Sequence, residues 1–319
     1  MGRIRVAIIG CGGIAKAHAK AYAASQDLCQ VVACADVVGS AAQAFGGEFG
    51  CAAYLDTAKM LDAVKPDAVS ICSPPSGHLP AVRLAAERGI AVLCEKPLAR
   101  NLAEANEMVE VVERQGIIFM NALCHRFHGP VNQTRKMLQE GKLGKLVHFY
   151  NRFAFRFDGV EKRWFTDPEI AGGGILLDTA VHSLDLFRYL VGEVAAISAQ
   201  VSTTLPVAVE DSAALLMRST SGVLGEISCS WVTPPGEAIV RLYGTEGMAE
   251  LDYNAQPNLR YRLAGGEWIT VPYEGPDRFT GETRHFLECV RDGVTPSITV
   301  RDGARVMELL AQAYSLARV

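Results

Sequence analysis

Four short stretches hold residues whose types and spacing suit chemistry. The first is Gly10-x-Gly12-x-x-Ala15, which follows the apolar run Val6–Ile9 and opens a helical stretch from Ile14 to Ala24. Gly10 permits a tight turn, Gly12 lets backbone approach a pyrophosphate, and Ala15 lets the helix pack close to the strand. The N–H groups around Gly13 and Ile14 lie at the positive end of that helix and suit phosphate oxygens. Asp36 ends the next apolar run, where a carboxylate would bind ribose hydroxyls. Val37, Val38, Gly39 and Ser40 follow without an Arg or Lys. Asp36 would repel a 2′-phosphate, so the expected cofactor is NAD rather than NADP.

The second stretch is Ser73-Pro74-Pro75-Ser76-Gly77-His78, past a strand ending at Cys72. Its prolines keep the chain extended, and Ser73, Pro74 and His78 are cofactor-binding candidates. A stiff loop that caps the next helix is the alternative. The third is Glu95-Lys96-Pro97, also at a strand end. Pro97 fixes the turn and so aims Lys96 toward the expected nicotinamide; Glu95 and Lys96 join the cofactor candidates. The fourth is Asp178 and His182, spaced i, i+4 on one helix face. Ile175, Leu176, Leu177, Val181, Leu184, Leu186 and Phe187 make that helix largely apolar, hence buried. Gly172–Gly174 would let its start lie against another surface, expected to be the cofactor domain. In isolation the pair reads as a structural Asp–His hydrogen bond. Beside a lysine offered from a strand end it becomes a candidate for proton transfer, since histidine titrates near neutrality.

Elements must place these groups. Strands are expected at Ile4–Ile9, Val31–Ala35, Ala68–Cys72, Ala91–Cys94 and Ile117–Met120. Helices are expected between them at Ser40–Phe49, Thr57–Val64, Leu79–Arg88 and Leu102–Arg114. This alternation implies an α/β Rossmann domain over 1–122, a doubly wound parallel sheet with helices on both faces. Residues 123–319 are expected to form an α+β domain. A helix over Val131–Gln139 precedes eight strand-like segments from Leu146 to Val271, read as a mainly antiparallel open sheet. Two helices, Gly281–Arg291 and Arg301–Leu316, close the chain and could pack back toward the first domain.

Bulk properties exclude several classes. The 319 residues suffice for two cores. The net charge of -4 argues against a nucleic-acid partner. No apolar run is expected to span a membrane, and Val6–Ile9 is a strand rather than a signal segment. Nine scattered cysteines, without CxxC spacing, point to a reducing cytoplasm. Seven histidines lack ligand spacing, so no metal is expected.

The fingerprint, the Ser-Pro loop with His78, and Glu95-Lys96-Pro97 together resemble the Gfo/Idh/MocA family of NAD(P)-dependent oxidoreductases. Trp164-Phe165-x-Asp167-Pro168, then Gly172-Gly173-Gly174 and Asp178-x-x-x-His182, is similar to that family's most diagnostic segment, and Gly244-Thr245-Glu246-Gly247 is a further shared trait. The resemblance covers nearly the whole chain. It implies that Lys96, Asp178 and His182 form the catalytic set, and that the substrate is a sugar or polyol. It also implies a homo-dimer or homo-tetramer formed through the C-terminal sheet. Arg126, Arg156, Arg163 and Trp164 lie in segments expected to face the substrate, although packing or surface roles are as good a reading of each alone. Two other functions share these motifs: a glycosidase that oxidises its sugar transiently and recycles its NAD, and a non-catalytic NAD-binding regulator.

Overall fold

The computed structural model describes residues 2–317. The chain divides into two units, residues up to 124 with 277–307, and residues 125–276 with the stretch from 308 onward. The boundary lies two residues past the expected cut at 122, and Asp277–Met307 belongs to the first unit, as the expectation for the closing helices allowed.

The first unit alternates strand and helix: β1 (Ile4–Ile9), α1 (Gly13–Ala24), β2 (Cys29–Ala35), α2 (Gly39–Phe49), β3 (Ala52–Tyr54), α3 (Thr57–Val64), β4 (Ala68–Ile71), α4 (His78–Ala86), β5 (Ala91–Glu95), α5 (Leu102–Gln115) and β6 (Phe119–Ala122). The six strands run parallel in the order β3-β2-β1-β4-β5-β6. β1 and β4 start crossovers on opposite sides of the sheet, which puts a ligand crevice at their carboxyl ends. Val6, Ala7 and Ile8 are wholly buried, as a strand covered on both faces requires. β3 has no counterpart among the expected strands. It is three residues long, lies at the sheet edge and is largely exposed, too short for an alternating pattern to show. Helix ends follow local chemistry. Asp56 and Asn101 accept from backbone N–H groups at the starts of α3 and α5, and Gly116 ends α5 with φ +63°.

The second unit contains α6 (Gly129–Gln139), β7 (Leu146–Arg156), a short α7 (Pro168–Ala171), a π-helical turn over Leu176–Ala180, and α8 (Val181–Leu190). Then come β8 (Val194–Ser202), β9 (Ser212–Ser219), β10 (Leu224–Ser230), β11 (Val232–Gly244), β12 (Gly247–Asp252), β13 (Leu259–Leu263) and β14 (Ile269–Val271). Their order is β14-β13-β12-β11-β7-β10-β9-β8. This is not a pure meander: β7 inserts between β11 and β10 and pairs with β10 in parallel. One face of the sheet packs on α8, where Phe149 and Phe187 meet edge to face at 5.3 Å. A Cβ on Gly225 would lie 2.5 Å from the Phe187 ring, so glycine lets helix and sheet approach.

Two helices, α9 (Arg278–Asp292) and α10 (Val300–Leu316), follow the second sheet in sequence. α9 packs on α1 of the first unit, with Arg284 reaching Asp27 at 3.3 Å. One stretch, Pro168–Leu190, is long and apolar enough to cross a membrane, contrary to the expectation from composition. Because 78 % of its window is buried inside the protein, it is accounted for as core.

Candidate active site

In the first unit the fingerprint turn is fixed by its neighbours. Gly10 has φ +89°, and a Cβ there would lie 2.6 Å from the Ser73 backbone nitrogen. The close approach that demands glycine is thus to the loop after β4. Gly12 and Gly13 have open space where a Cβ would project. Gly12 caps α1 without a side-chain hydrogen bond, and no acid lies in that helix's first turn. Its leading N–H groups are therefore available to an anion. Asp36 is held at both oxygens, Oδ2 accepting from the Cys11 N–H and Oδ1 from the Val38 N–H, each at 2.8 Å. That fixes the carboxylate beside the turn. Ser73 Oγ is buried with no hydrogen-bond partner among the described residues. Open glycines, uncapped amides, a fixed acid and an orphaned hydroxyl together fit a dinucleotide.

His78 stands at the start of α4, where the sequence put it. It is fully buried, with Nδ1 3.0 Å from the Pro97 carbonyl and Nε2 2.9 Å from the Ser73 carbonyl. Burial pushes its pKa down, against the pull of those carbonyls. It ties the Ser73 loop to the turn after Lys96. Glu95 is likewise turned inward: Oε1 lies 3.0 Å from His18 Nε2 and Oε2 accepts from the Lys96 N–H at 3.0 Å. His18 Nδ1 faces Ser70 Oγ at 3.3 Å, and that hydroxyl is 2.6 Å from the Tyr22 hydroxyl. Burial opposes a charge on His18, but Cys72 and Glu95 outweigh it and raise its pKa to about 10. Burial works against the Glu95 anion as well, yet His18 and then Lys96 hold its pKa below the usual range. Asn121 Nδ2 donates to the Cys94 carbonyl at 2.9 Å. The backbone that presents half-buried Lys96 is thus anchored on both sides.

In the second unit Asp178 belongs to the π turn and His182 to the first turn of α8. The uniform α-helix expected here is interrupted by a geometry frequent at functional sites. Asp178 Oδ2 accepts from Trp231 Nε1 and from Thr179 Oγ1, both at 3.1 Å. The His182 ring lies 4.5 Å from that of His125, whose Nδ1 is 2.8 Å from the Tyr253 hydroxyl. Tyr253 stacks on His128 at 4.8 Å. The glycines before this helix permit close approaches within their own unit. A Cβ on Gly173 would lie 2.1 Å from the Tyr314 hydroxyl, and one on Gly174 would lie 2.0 Å from the Glu210 carbonyl, both within the same unit.

The expected substrate residues separate. Arg126 pairs with buried Asp185 through Nε at 2.9 Å and Nη2 at 2.5 Å, and lies against the Tyr189 ring. Arg156 pairs with Asp158 at 2.7 Å on the surface. Trp164 stacks on Phe165 at 3.8 Å, and Arg163 sits 4.8 Å over the Phe157 ring. Phe157 and Phe165 both reach Trp231, so an aromatic wall runs from Trp164 to the indole that holds Asp178. His18, His125, Trp231 and Tyr253 were not expected from sequence.

The chain matches known proteins over nearly its full length. Residues 4–123 match the oxidoreductase family with an NAD-binding Rossmann fold, and residues 131–250 match the GFO/IDH/MocA C-terminal domain. D-apiose dehydrogenase of Paraburkholderia graminis is 31 % identical, over 99 % of this chain and 88 % of that protein. Scyllo-inositol 2-dehydrogenase (NAD(+)) of Bacillus subtilis is 28 % identical, over 96 % and 92 % respectively. Levoglucosan dehydrogenase, solved with NADH and levoglucosan, superposes with a TM-score of 0.92 at 25 % identity, over 99 % and 97 %. The chain belongs to the Gfo/Idh/MocA family of oxidoreductases, and its first unit is that family's NAD-binding Rossmann domain.

Proposed function

We propose that the protein oxidises a secondary alcohol of a sugar, polyol or sugar acid with NAD+, or runs the reverse reaction. The observation that carries this reading is the π turn and α8 start, which hold Asp178 on the Trp231 indole and set His182 beside His125. When bound, the nicotinamide accepts or returns a hydride at its C4. The remaining work falls to this chain's residues. An alcohol that loses hydride must also lose its hydroxyl proton, and His182 takes it. Lys96 holds the reacting oxygen and stabilises the negative charge that grows on it. Asp178, steadied by Trp231 and Thr179, orients the substrate or His182 by hydrogen bonding. Trp164 and its aromatic neighbours suit the C–H face of a sugar ring, and exposed Arg163 suits a carboxylate on it.

Relatives named for apiose, inositol and levoglucosan support the substrate class. Asp36, with no cation among the next four residues, favours NAD over NADP. The outer face of the second sheet exposes Leu216 and Leu224, at 62 % and 52 %, and we assign it to self-association into dimers or tetramers.

The test is a screen of sugars, inositols and uronic acids with NAD+, read as absorbance of the reduced cofactor. The proposal predicts accumulation of NADH with at least one of them. Release of aglycone from glycosides without net NADH would show an NAD-recycling glycosidase instead. Binding of NAD without turnover of any substrate would favour a regulator.

A further inference from the structure

Glu210 precedes β9 and is buried, although nothing in the proposed chemistry uses it. Its Oε1 accepts three hydrogen bonds: the Gly174 N–H at 3.1 Å, the Leu176 N–H at 3.0 Å and the Tyr314 hydroxyl at 2.7 Å. Its backbone carbonyl accepts a fourth, from the Ile175 N–H at 2.9 Å. The amides that open the helix of Asp178 and His182 would otherwise be orphaned in a buried place. Here one side chain and its own carbonyl satisfy three consecutive amides. Gly173 and Gly174 complete the fit, because a Cβ on either would strike the Tyr314 hydroxyl or the Glu210 carbonyl.

The next residue works on the other side of the same acid. Asp211 Oδ2 accepts from the Thr204 and Leu205 N–H groups at 2.6 and 2.7 Å, which fixes the chain leading into β9. The Asp211 carbonyl accepts from the Trp231 N–H at 2.9 Å, and the Trp231 indole holds Asp178. Glu210 therefore sets the start of the helix, while its neighbour sets the indole that orients the carboxylate on it. Tyr314 lies on α10, so the anchorage extends to the last helix of the chain. Burial first, and Glu210 second, keep the Tyr314 phenol protonated and hence a donor.

We propose that Glu210 and Tyr314 are positioning residues for Asp178 and His182: a carboxylate–phenol clamp that fixes the register of the helix start. The inference rests on the proposed roles of Asp178 and His182, yet its structural half can be measured without turnover.

Tyr314→Phe removes one donor and keeps the ring; Glu210→Gln keeps an acceptor and removes the charge. Amide hydrogen exchange over 174–182 is expected to speed up about tenfold in each, the scale of one lost charge-assisted hydrogen bond. kcat is expected to fall by about tenfold in Tyr314→Phe and more in Glu210→Gln. The pH profile of kcat should shift in both, with KM for NAD+ unchanged. Gly173→Ala should also lower kcat, and adding Tyr314→Phe to it should restore part of the loss by removing the hydroxyl the new methyl strikes. Unchanged exchange over 174–182 in both folded variants would overturn the clamp. So would kcat losses that merely follow the folded fraction, with the pH profile in place and no recovery in the double variant. If wild type turns over no sugar, the functional reading fails, and exchange still decides the clamp.

Discussion

Lys96 and His182 carry the proposed chemistry at the residue scale. His182→Ala and Lys96→Ala should each lower kcat by about 10²-fold or more in the NADH assay, while circular dichroism stays that of the wild type. Near-normal turnover in either would remove that residue from the reaction. Asp36→Ala should weaken NAD+ in a titration and narrow its advantage over NADP+, because a fixed carboxylate favours ribose hydroxyls over a phosphate. Buried His18, beside Cys72 and Glu95, makes a prediction about pH. His18 titrates higher in the fold, at about 10 against 6.5, so its contribution is full below pH 6.5 and is lost as pH rises toward 10. Urea midpoints should decline over that window in the wild type, and less in His18→Gln. The turn at Gly10, the strand end before Lys96 and the helix that carries Asp178 and His182 were legible because their signals are local: residue type, spacing and apolar pattern. His18 and Trp231 were not. His18 meets Glu95 from 77 residues away, and Trp231 meets Asp178 from 53. Type alone does not reveal such partners.

At the scale of elements, the helix start that bears Asp178 shows what pattern reading sees and misses. Its apolar run announced burial correctly, and Ile175, Leu176, Leu184 and Phe187 are wholly buried. The Glu210 contact was invisible, since the acid lies 34 residues beyond the amide it holds. Gly174→Ala should be severely destabilising, because its methyl would meet backbone at 2.0 Å and no side-chain movement relieves that. Thermal unfolding would measure it. A shift within the range of an ordinary surface substitution would contradict the packing described. The second sheet teaches a related lesson. Its strands were legible one by one from alternation and turns, but their neighbours were not. β7 pairs in parallel with β10, whose sequence lies some seventy residues later.

At the scale of the whole molecule, alternation and the fingerprint made the parallel domain plain. The assignment of Asp277–Met307 to that unit depended on α9 lying along α1, which neither sequence declares. The exposed face of the second sheet carries Leu216 and Leu224 among ion pairs such as Arg241–Glu250. Light scattering should give a mass that is a multiple of 34.3 kDa, and Leu216→Asp should lower it. A wild-type monomer would remove self-association. The central claim is hydride transfer from a carbinol carbon, and it is tested most directly with a substrate found in the screen and deuterated at that carbon. After incubation with NAD+, the account predicts reduced cofactor carrying one deuterium at C4, on one face, with an equal amount of carbonyl product. Reduced cofactor without deuterium, or none with any substrate, would contradict it.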